Sequence, residues 1–574
     1  LARSSHCCST RQSHVACLGI MFMRVSATTL ISVCIALTCT LTAEAVVSPS
    51  LSSPSSSSPN SPAHIVHVVV DDLGWAEIGI HRDPSDNDAH TPVIDGLITN
   101  SGLLLNRFYA HKICSPTRCA LQTGRAPIHV NVQNVVPEVR NAEDPIGGYQ
   151  GIPINMTGMA EHLRSVGYKT HLVGKWDAGM ATPRHSPHAR GYDNWLGYWH
   201  HSNDYWSSDH AACYNKPVKD LWNSTNGTLG VPAFNLANGD TCSQSNQHPQ
   251  NETCVFEDAL LGAQVRKIIQ HHDPTSNLFL LWAMHLVHMP LQVPQEYLDK
   301  FSNIDNTFRR SMHAMTNYVD GEVGQMVDSL KSTGLWNKTL VVVHADNGGE
   351  IKFAGVCGGN NWPLRGGKFS NWEGGIRVNA FVTGGALPLN RRGVSEEGLI
   401  TAWDWYATYV KGVAGLDPTD HKAAAAGLPK IDSINVWPLI SGINITSPRT
   451  TIYIGDTNAV DANADGKTLV GGVITLIDGT MWKLLIGVPD KLYIIGQDVM
   501  TGPSWPNSSS HVIPDVHVRT CGRKPEQGCL FDIQQDPAEY HSLAQVNTSI
   551  FVKLLAMVDA MQKTTYSPIR GKVD

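Results

Sequence analysis

Residues 64–72 read His-Ile-Val-His-Val-Val-Val-Asp-Asp. The first seven are mostly β-branched and do not alternate with polar residues, which predicts a strand buried on both faces, as in a parallel sheet. Residues 170–174, 278–284 and 340–345 read the same way, with helical patterns at 159–166, 258–272 and 310–330 between them. Strands alternating with helices predict an α/β fold, a mixed and mostly parallel sheet sandwiched by helices. The four strands end in Asp71-Asp72, Lys175, His285 with His288, and Asp346-Asn347. Open α/β sheets bind ligands beyond the carboxyl ends of their strands, so these groups are expected along one edge.

A second run lies at 114–125, Cys-Ser-Pro-Thr-Arg-Cys-Ala-Leu-Gln-Thr-Gly-Arg. Pro116 suits the first position of a helix, which sets Cys114 at a helix N-terminus, where partial positive charge favours an anion. Asp71, Asp72, Asp346 and Asn347 offer only oxygen ligands, a set that suits a hard divalent cation, Ca²⁺ before Mg²⁺. Taken singly, Asp72 also suits a helix cap and Asp346-Asn347-Gly348-Gly349 a turn.

Six runs carry a resemblance that spans nearly the whole folded chain. They are Val70-Asp71-Asp72-Leu73-Gly74-Trp75, the run 114–125, Val173-Gly174-Lys175-Trp176, Val287-His288-Met289-Pro290-Leu291-Gln292, Asp346-Asn347-Gly348-Gly349, and Gly359-Asn360-Asn361-Trp362-Pro363-Leu364-Arg365-Gly366-Gly367-Lys368. In sequence and order they resemble the sulfatase family, closest to its arylsulfatase B (N-acetylgalactosamine-4-sulfatase) branch. The resemblance implies an alkaline-phosphatase-like fold and hydrolysis of sulfate esters at a calcium site. It implies that Cys114 is oxidised to formylglycine by the formylglycine-generating enzyme, and that Asp71, Asp72, Asp346 and Asn347 hold the metal together with residue 114. Arg118, Lys175, His288 and Lys368 are then expected around the sulfate and its leaving group. In that chemistry the hydrated aldehyde attacks sulfur, His288 or Lys368 protonates the departing oxygen, and the second hydroxyl expels sulfate.

One residue departs from the family pattern. The family usually continues Gly-Lys-Trp with His, and this chain has Asp177. An aspartate can take a proton, but an unpaired carboxylate about 4 Å from a sulfate costs about 4 kcal/mol at an effective dielectric near 20. Three readings follow: an active sulfatase on sulfated glycans or aryl sulfates, a catalytically impaired anion- or glycan-binding relative, and a phosphatase or phosphodiesterase of the same fold. Cys114 in place of Ser or Thr speaks against the third. From the sequence, Asp177→His is expected to raise turnover.

The remaining composition bounds the setting. A chain of 574 residues with 42% hydrophobic content fills one large and one smaller domain. The net charge of -7 does not fit a general nucleic-acid binder. Residues 1–45 read as upstream residues and a secretory signal, with Arg24, an apolar run at 30–41 and Ala43-Glu44-Ala45, and no later segment suits a stable membrane span. A Ser/Pro-rich linker at 46–63 precedes a catalytic domain at 64–440 and a smaller domain at 441–574. In the smaller domain, short strands at 451–454, 469–477, 482–486 and 492–495, the run 530–533 and a helix at 549–562 predict an antiparallel sheet with a terminal helix. Eight Asn-x-Ser/Thr sequons and a possible loop between Cys521 and Cys529 point to the secretory pathway, lysosomal or extracellular. Oligomeric state is open.

Overall fold

The computed structural model describes residues 62–83, 89–132, 151–211, 217–225, 230–233, 254–351, 357–455, 471–489 and 520–566. Ser57–Val573 form one compact unit, and the expected signal lies outside the described residues. Ten strands form the main sheet, in the order Val394–Glu396, Leu103–Leu105, Ala380–Thr383, Thr339–Ala345, His64–Val70, Leu278–Ala283, Lys169–Gly174, Asn194–Gly197, Trp222–Ser224 and Val231–Pro232. The five from Thr339–Ala345 to Asn194–Gly197 are parallel to their neighbours, and antiparallel pairs flank them on both sides. All seven side chains of His64–Val70 are buried, as a run without alternation requires. The long helix Thr307–Ser332 packs against the helices Glu257–His271 and Pro92–Ser101.

Register delivers the strand ends together. Val70 lies opposite Ala345, Val69 opposite Ala283, and Ala283 opposite Gly174, so Asp71, Asp346, His285 and Lys175 leave the sheet on one edge. Gly174 is needed there: its φ is +97° and a Cβ would lie 1.8 Å from the Ala283 carbonyl oxygen.

The C-terminal sheet is antiparallel, in the order Thr451–Gly455, Gly471–Ile477, Thr480–Ile486 and Cys529–Asp532. The run expected at 492–495 lies outside the described residues, and the fourth strand comes from 529–532. Helix Thr548–Gln562 sets Phe551, Leu554 and Val558 on Val473, Leu484 and Leu530. A second core layer joins Tyr109, Ala120 and Trp372 to Ile452, Leu485 and Phe531, so this sheet shares apolar contacts with the part that carries the strand-end acids. Cys521 and Cys529 form the expected disulfide.

Candidate active site

Helix Cys114–Thr123 begins two residues earlier than its proline suggests. Ile113 is extended as the N-cap and Cys114 is the first helical residue, which puts Pro116 third. The third N–H of a helix also lacks an intrahelical partner, so proline is accommodated there too. The Cys114 thiol is buried and lies 3.4 Å from Asp71 Oδ1 and 3.9 Å from Asp72 Oδ1. Burial, then the charges of Asp346 and Asp71, push its pKa well above the usual thiol value. A thiol kept protonated is a weak nucleophile.

The acids interlock around it. Asp72 sits in the left-handed region at φ +59°, a conformation that costs roughly 1–3 kcal/mol for a non-glycine residue. Its N–H donates to Asp346 Oδ1 at 3.2 Å, and Asn347 Nδ2 donates to Asp72 Oδ1 at 2.7 Å. Asp71, Asp72, Asp346 and Asn347 are all at most 1% exposed. Burial, and then the negative charge of Asp71, raise the pKa of the Asp346 carboxyl. Asn347 Oδ1 is buried without a hydrogen bond. Crowded carboxylates beside an unused amide oxygen are a donor set that fits a hard cation. The atoms that converge within 4.8 Å of one another belong to Asp71, Asp72, Cys114 and His288, with Asp346 and Asn347 linked to them by the hydrogen bonds above.

Three cations close on these acids. Arg118 grips Asp346 Oδ2 through Nε at 3.0 Å and Nη2 at 2.7 Å. Lys175 Nζ is 2.6 Å from Asp71 Oδ2, and Lys368 Nζ is 2.6 Å from Asp72 Oδ2. Burial disfavours the charged form of each, but the adjacent carboxylates outweigh it and raise all three pKa values, so the cations stay charged. Lys368, set in a glycine-rich loop that also suited a surface role, is 3% exposed. His288 is held well below its usual pKa by burial, then by Lys368 and Lys175. Nδ1 of this neutral ring meets the Met289 carbonyl at 2.7 Å and must carry the proton; Nε2 faces Asp72 Oδ2 at 3.7 Å. Two acceptors facing each other suit a shared cation or hydroxyl.

Asp177 is buried and also joins this group. Oδ1 accepts from Ser115 Oγ and from His201 Nδ1, both at 2.8 Å, and Oδ2 lies 3.7 Å from Lys175 Nζ. Burial pushes its pKa up, but His201 and Lys175 outweigh that and hold it below the usual carboxylate range. The bare charge expected from sequence is therefore compensated.

All ten expected site residues come together, and several neighbours were not foreseen. His201 pairs with Asp177 across 24 positions that include the strand Asn194–Gly197, and Ser115 was read only as part of its run. Glu350 is buried 3.8 Å from Lys368, with burial first among the causes that push its pKa up to about 7. Tyr205 Oη donates to the carbonyls of His285 and His288 at 3.0 and 2.8 Å and fixes that strand end. Their only sequence signals were a histidine pair at 200–201 and an acid just past Asp346-Asn347.

Comparison with known proteins agrees with this geometry. Residues 63–411 match the family described as Sulfatase. Mouse arylsulfatase J is 29% identical over 521 residues, 89% of this chain and 77% of that protein. Dog N-acetylgalactosamine-6-sulfatase is 30% identical over 400 residues, 69% of each chain, and human arylsulfatase A is 28% identical over 499 residues, 84% and 83%. Among solved structures, Ps i-CgsB in complex with k-i-k-neocarrahexaose superposes with a TM-score of 0.65 at 23% identity, covering 89% of this chain and 95% of that one. The phosphonate monoester hydrolase of Agrobacterium radiobacter gives 0.52 at 15% identity, with 88% and 96% covered, so the fold extends beyond sulfate chemistry. With its family match spanning more than half its length, the chain belongs to the sulfatase family of sulfate-ester hydrolases.

Proposed function

We propose that the chain hydrolyses sulfate esters of glycans, with residue 114 converted to formylglycine and a divalent cation, Ca²⁺ before Mg²⁺, held by Asp71, Asp72, Asp346, Asn347 and residue 114. The observation that carries this reading is Cys114 Sγ at the first turn of a helix, 3.4 Å from Asp71, among carboxylates whose outer oxygens are already taken by Lys175, Lys368 and Arg118. When present, the cation and the aldehyde supply charge neutralisation and a hydroxyl nucleophile, neither of which a protonated thiol offers. Arg118, Lys175 and Lys368 are fixed positive charges in a water-poor site, and they stabilise the charge that builds on sulfate oxygens more than the ground state. Lys368, kept protonated by Asp72, donates to the departing alcohol, with His288 beside it. Asp177 takes the proton released at residue 114. Its pairing with His201 and Lys175 favours an active enzyme over an impaired binding relative.

The family supports sulfate-ester hydrolysis, and the relatives named N-acetylgalactosamine-6-sulfatase support a sulfated amino-sugar substrate. The resemblance to arylsulfatase B points to 4-sulfated N-acetylgalactosamine. The Cys521–Cys529 disulfide and exposed sequons at Asn337 and Asn444 support a secreted or lysosomal glycoprotein that meets the formylglycine-generating enzyme on its route. The test is sulfate release from an aryl sulfate and from 4- and 6-sulfated N-acetylgalactosamine, by the wild type and by Cys114→Ala. Release by the wild type alone is expected; equal release by both would overturn the assignment.

A further inference from the structure

The two oxygens of Asp177 are used differently. Oδ1 takes both hydrogen bonds, from Ser115 and His201, while Oδ2 is buried without one and lies 3.7 Å from Lys175 Nζ. Lys175 in turn is 2.6 Å from Asp71, the acid nearest the Cys114 sulfur, and Ser115 is the chain neighbour of Cys114. A carboxylate can only accept, so His201 Nδ1 carries a proton, and His201 Nε2 is left buried without a hydrogen bond. The backbone N–H of Asp177 donates to Trp199 at 3.2 Å, which ties the loop carrying His201 to the strand end carrying Asp177. A surface ion pair leaves no such unused buried atoms; native proteins satisfy most buried polar groups, and the exceptions gather where something else must bind or react.

We propose that Asp177 and His201 act as one dyad, in which His201 is the positioning residue that holds Asp177 Oδ1 and offsets the carboxylate's charge beside the anion site. This rests on the catalytic reading given above. His201 holds Oδ1, so Oδ2 stays the open oxygen. Its hydrogen bond also offsets the negative charge that Asp177 would otherwise present to a sulfate anion.

Two mutant cycles test the dyad. In turnover of an aryl sulfate, His201→Ala is expected to lower kcat by roughly tenfold to a hundredfold with little change in KM, and His201→Asn, which keeps an N–H donor, to recover part of the loss. The loss should vanish when Asp177→Asn is already present. The second cycle needs no conversion of Cys114: inorganic sulfate is titrated calorimetrically into the calcium-loaded protein with Cys114 still a thiol. His201→Ala is expected to weaken sulfate about tenfold by exposing the Asp177 charge, and the double variant with Asp177→Asn to restore it. Equal losses from His201→Ala in the wild-type and Asp177→Asn backgrounds, in either cycle, would overturn the dyad and leave His201 a packing residue. No turnover by any form, with the sulfate cycle as expected, would instead sink the hydrolase reading and keep the charge pairing.

Discussion

Burial and the charges of Asp346 and Asp71 push the pKa of the encoded Cys114 thiol well above its usual value, which disfavours the thiolate that a cysteine nucleophile needs. Cys114→Ser restores a single hydroxyl but no second one to expel sulfate. Its turnover is expected to fall by roughly 10⁴-fold or more, the order of loss seen when a covalent nucleophile is removed, and a steady-state assay checks it. The structure reverses the expectation for Asp177→His. A neutral histidine there has one acceptor nitrogen for the two hydrogen bonds that Asp177 takes from Ser115 and His201 and removes the negative charge beside Lys175, so roughly tenfold lower kcat is expected rather than a gain. The strand-end acids were legible because each follows an apolar run or sits in a recognisable motif. His201 was not, since its partner is fixed by loop geometry that leaves no periodic trace, and Lys368 was ambiguous because composition cannot tell a buried glycine-rich loop from an exposed one.

Among the elements, the four central strands were readable within a residue or two, because burial on both faces forces continuous apolar runs. The helix start at Cys114 was displaced, since proline is accepted anywhere in the first turn and marks it only loosely. Gly174 couples the two levels: Gly174→Ala places a Cβ 1.8 Å from Ala283 O and displaces Lys175, so loss of both activity and several degrees of Tm is expected in a thermal melt. The loop bearing Lys368 is anchored by a buried cluster in which Lys483 reaches Glu373 at 3.0 Å and Glu539 at 2.8 Å. Burial, joined by the charge of Glu373 and opposed by Lys483, pushes Glu539 from 4.5 to about 7. Between those values the folded state keeps a proton that the unfolded chain gives up. The stabilisation is therefore full below pH 4.5 and is lost as pH rises through 7. Melting at pH 5 and pH 7 should show a higher Tm at pH 5, and Glu539→Gln should shrink the difference by about 2–4 °C.

In the whole molecule, every residue assigned a catalytic or metal-binding role lies within 64–440, and we propose that 441–574 supports them through the shared apolar layer and Lys483. A cluster of buried acids is costly without its cation, so calcium is expected to raise Tm with its concentration and a chelator to abolish turnover reversibly; a Tm indifferent to calcium would count against the metal assignment. The most direct measurement is mass spectrometry of the peptide containing residue 114, from protein made in a host that has the formylglycine-generating enzyme. The expected result is an aldehyde-bearing residue in place of Cys114, in step with sulfatase activity. Unmodified cysteine throughout, in protein that still releases sulfate, would contradict it.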